Sequence, residues 1–227
     1  MPSTIRFYFD YISPNAYLAW TQLPRIAEKY GFFIEPVPVL FAALLTAHGQ
    51  LGPAEVAPKI RWMSKNNLRK ATLLGVAINP PAYHPFNPLL ALRVSSLPIA
   101  DPDRRALIGA LFEAVWVQRL HVSDPAIVTR VADEIGLKGA DLVLKAEQAK
   151  CKARLREQTD DAITRGIFGV PTMEAGSELF WGYDDFPHLE LFLAGNDPLD
   201  ATEWQKWAAG QRPSAVRGKS RPKSEDA

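Results

Sequence analysis

Apolar positions change their spacing three times along this chain. Residues 5–11, "IRFYFDY", are aromatic and β-branched with partial alternation and end at Ser-Pro, which predicts a strand. From Pro14 the spacing lengthens. Tyr17, Trp20, Leu23, Ala27 and Tyr30 share one helical face, and Gly31 supplies the stop. Pro24 falls inside this pattern and predicts a kink or a restart near Leu23. Residues 32–39, "FFIEPVPV", return to strand character, with two prolines that place the strand at an edge or shorten it. The opening unit is β-α-β, with a helix long enough for a parallel crossover.

Between Phe41 and Arg165 the patterns are almost all helical. Helices are predicted over 55–74, over 101–120 with Asp101 as cap and Pro102 at the first helical position, and over 124–136. Residues 139–166 read as two helices or one bent helix. Strand character then returns at 166–174 and 177–182, joined through Ala175 and Gly176 as a hairpin. A helix over 184–195 and a further one around 201–209 follow. The order β-α-β, helical insertion, β-β-α is that of an α/β, thioredoxin-like fold. It divides the chain into a thioredoxin-like domain (1–40 and 166–195), an all-helical insertion subdomain (41–165) and a C-terminal extension (196–227) with a disordered end.

Composition narrows the function classes. Apolar residues make up 47% of the 227 positions, enough for a proper core. A net charge of +1 offers no general field for nucleic acid. The basic cluster Arg217, Lys219, Arg221 and Lys223 reads as a solvated tail. The single cysteine, Cys151, excludes an intrachain disulfide and a cysteine metal cluster. Cys151 reads as an ordinary helix position, although flanking lysines favour a thiolate. His48, His84, His121 and His188 show no metal-ligand spacing. The N-terminus lacks a signal-peptide pattern, and no apolar run approaches the ~18 residues of a membrane span. A soluble, cytoplasmic protein without nucleic-acid or membrane partners is expected.

Ser13 leaves a question open. Ser followed by Pro is a favoured helix start, so local sequence favours a cap over chemistry. Two stretches change that balance. "FYFDYISPNAYLAW" near the start and "IFGVPTMEAGSELFWGYDDFPHLELFL" near the end resemble the DsbA-like thioredoxin superfamily. More narrowly, they resemble the glutathione-dependent 2-hydroxychromene-2-carboxylate isomerases, relatives of the kappa-class glutathione transferases. "AYHPFNPLLALR" (82–93) and "AHGQLGPAE" (47–55) are also similar to that group. In disulfide oxidoreductases of this fold a Cys-x-x-Cys opens the first helix. Here the stretch reads Ser13-Pro14-Asn15-Ala16, so this site has no dithiol for disulfide exchange.

The resemblance implies that Ser13 donates a hydrogen bond to the thiolate of bound glutathione, aided by the helix N-terminus. It implies a cis Pro171 facing that helix, with Val170 offering its backbone to the cysteinyl part. It further implies that Trp181, Gly182, Tyr183 and Asp184 hold the γ-glutamyl end. Tyr183 and Asp185 depart from the usual Trp-Gly-Asn-Asp-Arg, and Asp185 puts an acid where relatives carry a cation. Asp184 reads equally as partner of the γ-glutamyl ammonium or as cap of the last helix. For a small aromatic carboxylate substrate, Gly49 and Gln50 in a loop beside His48, with Lys65, Trp62, Tyr83 and Asn87, are the candidates. Arg61, Lys65 and Arg69 recur every four residues and read mainly as a solvated face. Phe112 and Trp116 read as core. Isomerisation of an aromatic-degradation intermediate is the expected activity; a kappa-like transferase or a non-catalytic binding protein are the alternatives. A homodimer is common among similar proteins.

Overall fold

A computed structural model describes residues 3–210. Its frame is a four-stranded mixed sheet of β1 (Thr4–Phe9), β2 (Phe33–Pro38), β3 (Thr172–Ala175) and β4 (Glu178–Trp181), in the order β2-β1-β3-β4. β1 pairs parallel with β2 and antiparallel with β3, and β3 and β4 form a hairpin. The crossover from β1 to β2 is α1 (Pro14–Tyr30), closed by Gly31 at φ 72°. Pro36 and Pro38 sit opposite Phe7 and Phe9 on edge strand β2, where a missing N–H facing outward removes no ladder bond.

Alternation along β1 builds two cores. Ile5, Phe7 and Phe9 join the main one with Leu18, Leu23 and Ile26 of α1. Tyr8 points to the other face, with Val39, Leu44, Ala162, Ile167 and Val170. The C-terminal end of β1 is therefore covered on both sides, and it delivers the chain to Ser13. Phe7, Phe9, Tyr11, Trp20 and Phe112 form a chain of ring contacts beneath it, with centroids 4.7 to 6.5 Å apart.

Between β2 and β3 lie α2 (Phe41–Ala47), α3 (Ala57–Leu74), α4 (Leu89–Ser95), α5 (Asp101–Trp116), α6 (Pro125–Glu134), α7 (Gly139–Ala146) and α8 (Ala149–Thr164). After β4 come α9 (Phe186–Leu193) and α10 (Ala201–Gly210). Residues 139–166 thus form two helices. The basic tail residues Arg217 to Lys223 lie outside the described residues.

Several expectations need correction. α1 continues through Pro24 without a restart, because Trp20, Leu23, Ile26 and Ala27 anchor it in the core on both sides of the proline. Asp101 is not a cap. It is the first helical residue of α5 and pairs with Arg105 one turn on, at 3.1 Å. The strand predicted over 166–174 begins only at Thr172, since Thr172 donates its hydroxyl to the Gly169 carbonyl and holds the preceding segment as a tight loop. The hairpin turn consists of Gly176 and Ser177, one residue later than expected, with Ala175 paired to Glu178. Gly176 takes φ 62°, which suits glycine.

Candidate active site

The site is assembled from two chain segments far apart in sequence. β1 ends at Phe9, and Asp10 turns the chain. Its buried carboxylate accepts from the Ile12 and Phe41 amides at 3.1 and 3.0 Å. Its carbonyl accepts from Ser13 N at 3.1 Å. Burial pushes the Asp10 carboxyl up to about 7, against the pull of its backbone hydrogen bonds. Ser13 then caps α1, its Oγ accepting from Ala16 N at 3.2 Å. The same hydroxyl donates to the Val170 carbonyl at 3.4 Å, a long and replaceable contact. Cap and site thus use one oxygen in two directions: a lone pair serves the helix, and the proton faces the opposite loop.

That loop carries a cis peptide bond at Val170–Pro171, and a second cis bond lies at His84–Pro85. The Pro171 carbonyl accepts from Gly182 N at 2.8 Å, tying the loop to the end of β4. Gly169 is required for packing: a Cβ there would stand 2.6 Å from Trp181 Nε1. Trp181 lies against Phe168 and is half exposed. Gly182 adopts φ 84°, which lets Tyr183 and Asp184 turn toward α1.

Asp184 is not a cap of α9. It binds Lys70 of α3, Oδ2 to Nζ 2.6 Å, and the same ammonium donates to Asn15 Oδ1 at 3.0 Å. Lys70 is buried, while the Asp184 side chain is 72% exposed and keeps an open edge. The Tyr183 ring lies 5.6 Å below the same ammonium. Burial, with Asp184 adding to it, raises the Tyr183 phenol above its ordinary range. Asp185 turns elsewhere: it accepts from Trp181 N at 2.9 Å and pairs with His188 Nδ1 at 2.7 Å. Its acidity is spent on local structure. The 183–186 segment carries no cation of its own, and the ammonium beside it is that of Lys70 on α3.

Beside Pro14 opens a cavity of about 270 Å³, walled by Ile60, Met63, Ile78 and Trp116 among others. A second cavity, about 300 Å³, is lined by Arg25, Tyr183, Asp184 and Glu190. Its α1 residues Gln22 to Ile26 lie roughly 13 Å or more along the helix axis from Ser13, at 1.5 Å per residue, too far to take part in chemistry there.

Of the expected residues, Ser13 meets Val170 directly, Pro171 is tied to Gly182, and Asp184 reaches Asn15 of α1 through Lys70, while Trp181 packs on Phe168 and Tyr183 borders the second cavity further along α1. Gly49, Gln50, Lys65, Tyr83 and Asn87 are exposed and do not line the Pro14 cavity. Arg61 and Arg69 are exposed too, as is Trp62. His48 is tied to the Ile167 carbonyl at 3.1 Å, and Asn87 accepts from Leu89 N at 3.0 Å. Phe112 is core as expected, whereas Trp116 is both core and cavity wall. Lys70 and Asn67 were missed. Their signal was available: both lie on the α3 face opposite Arg61, Lys65 and Arg69, together with Ala71. Cys151 is buried, its thiol donating to the Arg93 carbonyl at 3.2 Å, and burial raises it despite nearby cations. No cluster of His, Cys, Asp or Glu suited to a metal occurs among the described residues.

Residues 4–194 match the model of a DSBA-like thioredoxin domain, and the chain belongs to that family. A solved structure of 2-hydroxychromene-2-carboxylate isomerase superposes with a TM-score of 0.79 at 26% identity, covering 92% of this chain and 100% of that one. The 2-hydroxychromene-2-carboxylate isomerase of Sphingobium xenophagum is 31% identical over 196 residues, 85% of this chain and 99% of its own. That of Pseudomonas putida is 30% identical, covering 82% and 92%. Within the superfamily, the chain belongs with these isomerases. Glutathione S-transferase kappa 2 of Caenorhabditis elegans is more distant, at 26% over 84% of this chain and 91% of its own.

Proposed function

We propose that the protein is a glutathione-dependent cis–trans isomerase acting on 2-hydroxychromene-2-carboxylate or a related aromatic-degradation intermediate. The observation that carries this reading is the Ser13 hydroxyl, placed at the first turn of α1 with its proton directed only at a long contact to Val170. A thiolate arriving there replaces the Val170 carbonyl as acceptor, with no other bond in the site broken.

The chain's residues fit glutathione. The backbone of Val170 lies along the cis-proline loop, where the cysteinyl part docks as a short added strand. The open edge of Asp184 faces the γ-glutamyl ammonium, and Lys70 balances the charge of Asp184 and offers a cation to the neighbouring carboxylate. Asp185 is engaged with Trp181 N and His188 rather than turned toward Lys70. Glutathione held there would supply a thiolate able to add reversibly to the ring-opened, conjugated form of the substrate, so that rotation about a single bond becomes possible and the thiol is regenerated. Ser13 and the amides at the α1 start hold the negative charge on sulfur, and the Pro14 cavity shelters the ring from water.

Ser13→Ala tests the reading. It should lower glutathione-dependent turnover about 100-fold, the lower range for losing one preorganised donor, and raise the bound thiol's pKa. Unchanged turnover and pKa would leave Ser13 a helix cap only. Product analysis separates the related transferase chemistry: isomerisation leaves glutathione undiminished, and transfer consumes it into a stable thioether.

A further inference from the structure

The Pro14 cavity has an unusual balance of polarity. Its walls are aliphatic and aromatic, and among the described residues no Lys, Arg, Asp or Glu lines it. Its polar side chains are largely occupied. Ser64 donates to the Ile60 carbonyl at 2.9 Å, Trp116 Nε1 to the Tyr11 carbonyl at 2.9 Å, and His84 Nε2 bonds the Ile12 carbonyl at 2.9 Å. Asn67 differs. It is 5% exposed, and its Oδ1 is enclosed without a hydrogen-bond partner. An enclosed, unpaired carboxamide oxygen is a standing cost that an apolar side chain of similar volume would avoid. The position nonetheless lies on the buried face of α3, where the helix needs no polar group for its own sake.

We infer that Asn67 is the specificity-determining residue of this cavity, and that it reads an uncharged hydroxyl on an aromatic ring inserted ring-first. A carboxamide offers one acceptor and two donors; because its Oδ1 is enclosed, a turn about the last torsion is what brings the acceptor to the cavity, and either end can then meet a hydroxyl. The absence of a lining cation means that an anionic group stays at the mouth, on the Ser13 side, while the neutral hydroxylated ring goes in. An engineered protein cavity of roughly 150 Å³ accepts benzene. At about 270 Å³, this one accommodates a two-ring body. The inference rests on the proposed function only for the identity of the reaction; recognition of the ring requires no glutathione.

The test is therefore made without glutathione. Three near-isosteric probes, 2-naphthol, 2-methylnaphthalene and 2-naphthoate, are titrated at pH 8 by fluorescence into the wild-type chain, Asn67→Leu and Asn67→Ala. In the wild type, 2-naphthol should bind about tenfold tighter than 2-methylnaphthalene, the worth of one buried hydrogen bond. 2-Naphthoate should bind weakest of the three. In Asn67→Leu the preference for the hydroxyl should vanish, and the melting temperature should rise. Asn67→Ala should lose the preference as well, which keeps the test intact if leucine is poorly accommodated. Equal wild-type affinities, a preference that survives both substitutions, or tightest binding of 2-naphthoate would each overturn the inference. A positive result with no glutathione binding would sink the isomerase reading and leave this one standing; the reverse result would do the opposite.

Discussion

The Lys70 side chain joins the two halves of the candidate site, and its contribution is separable from that of Ser13. Its ammonium touches Asn15, two residues after Ser13, and Asp184 on the far loop. Lys70→Met leaves Asp184 without its cation and Asn15 without its donor. It should weaken glutathione binding about tenfold or more, the usual penalty for breaking a partly buried pair, with Lys70→Arg restoring part of the loss. Cysteinylglycine, which lacks the γ-glutamyl group, should bind the wild type and Lys70→Met alike. Calorimetric titration of both thiols checks this, and equal weakening of the two would assign Lys70 a structural role. Residues defined by local chemistry, such as Ser13 before a helix-starting proline and Pro171 in "GVPT", were legible in the sequence. Lys70 and Asn67 were not. Their meaning comes from the face of α3 that turns inward, which the regularly spaced, exposed Arg61, Lys65 and Arg69 on the opposite face do not reveal.

Among the elements, α1 was anticipated in extent but not in its continuity. Pro24 is exposed at mid-helix, removes an N–H, and survives because the flanking apolar residues are buried. Pro24→Ala restores the helical bond and removes no core contact. An interior helix proline costs about 3 kcal/mol, and the freer unfolded chain gives back about 1. The net gain should raise the melting temperature by about 4–8 °C for a chain of this size, measured by thermal denaturation. No rise would mean that α1 is already bent to accommodate the ring. Proline placement left β2 as an edge strand or a shortened one, and periodicity left 139–166 as two helices or one bent helix; an edge strand and two helices are what form. The late start of β3 did not, because a side-chain bond from Thr172 to Gly169 decides it, and strand propensity carries no trace of such a bond.

At the scale of the whole molecule, one buried carboxyl gives folding a pH dependence. Asp10 is fully enclosed and its carboxyl is pushed up to about 7 by burial, above its range in an unfolded chain. The folded state therefore binds this proton more tightly than the unfolded state does. Stability from this group is fully present below about pH 4 and is lost as pH rises to about 7, at up to about 1.4 kcal/mol per pH unit. Urea denaturation at intervals from pH 4 to 8 should show this fall superposed on other titrations, and Asp10→Asn should flatten it; an unaltered slope in the variant would remove Asp10 as its source. The sheet order has a further consequence, for the time course of synthesis. β1 is a central strand, yet one of its two neighbours, β3, is encoded some 160 residues later. A ribosome producing about 5–20 residues per second leaves that flank of β1 unpaired for roughly 10–30 s. The nascent β-α-β unit thus keeps an open, aromatic-rich edge until the final hairpin emerges, and the hydroxyl of Ser13 meets Val170 only once the chain has grown 157 residues further.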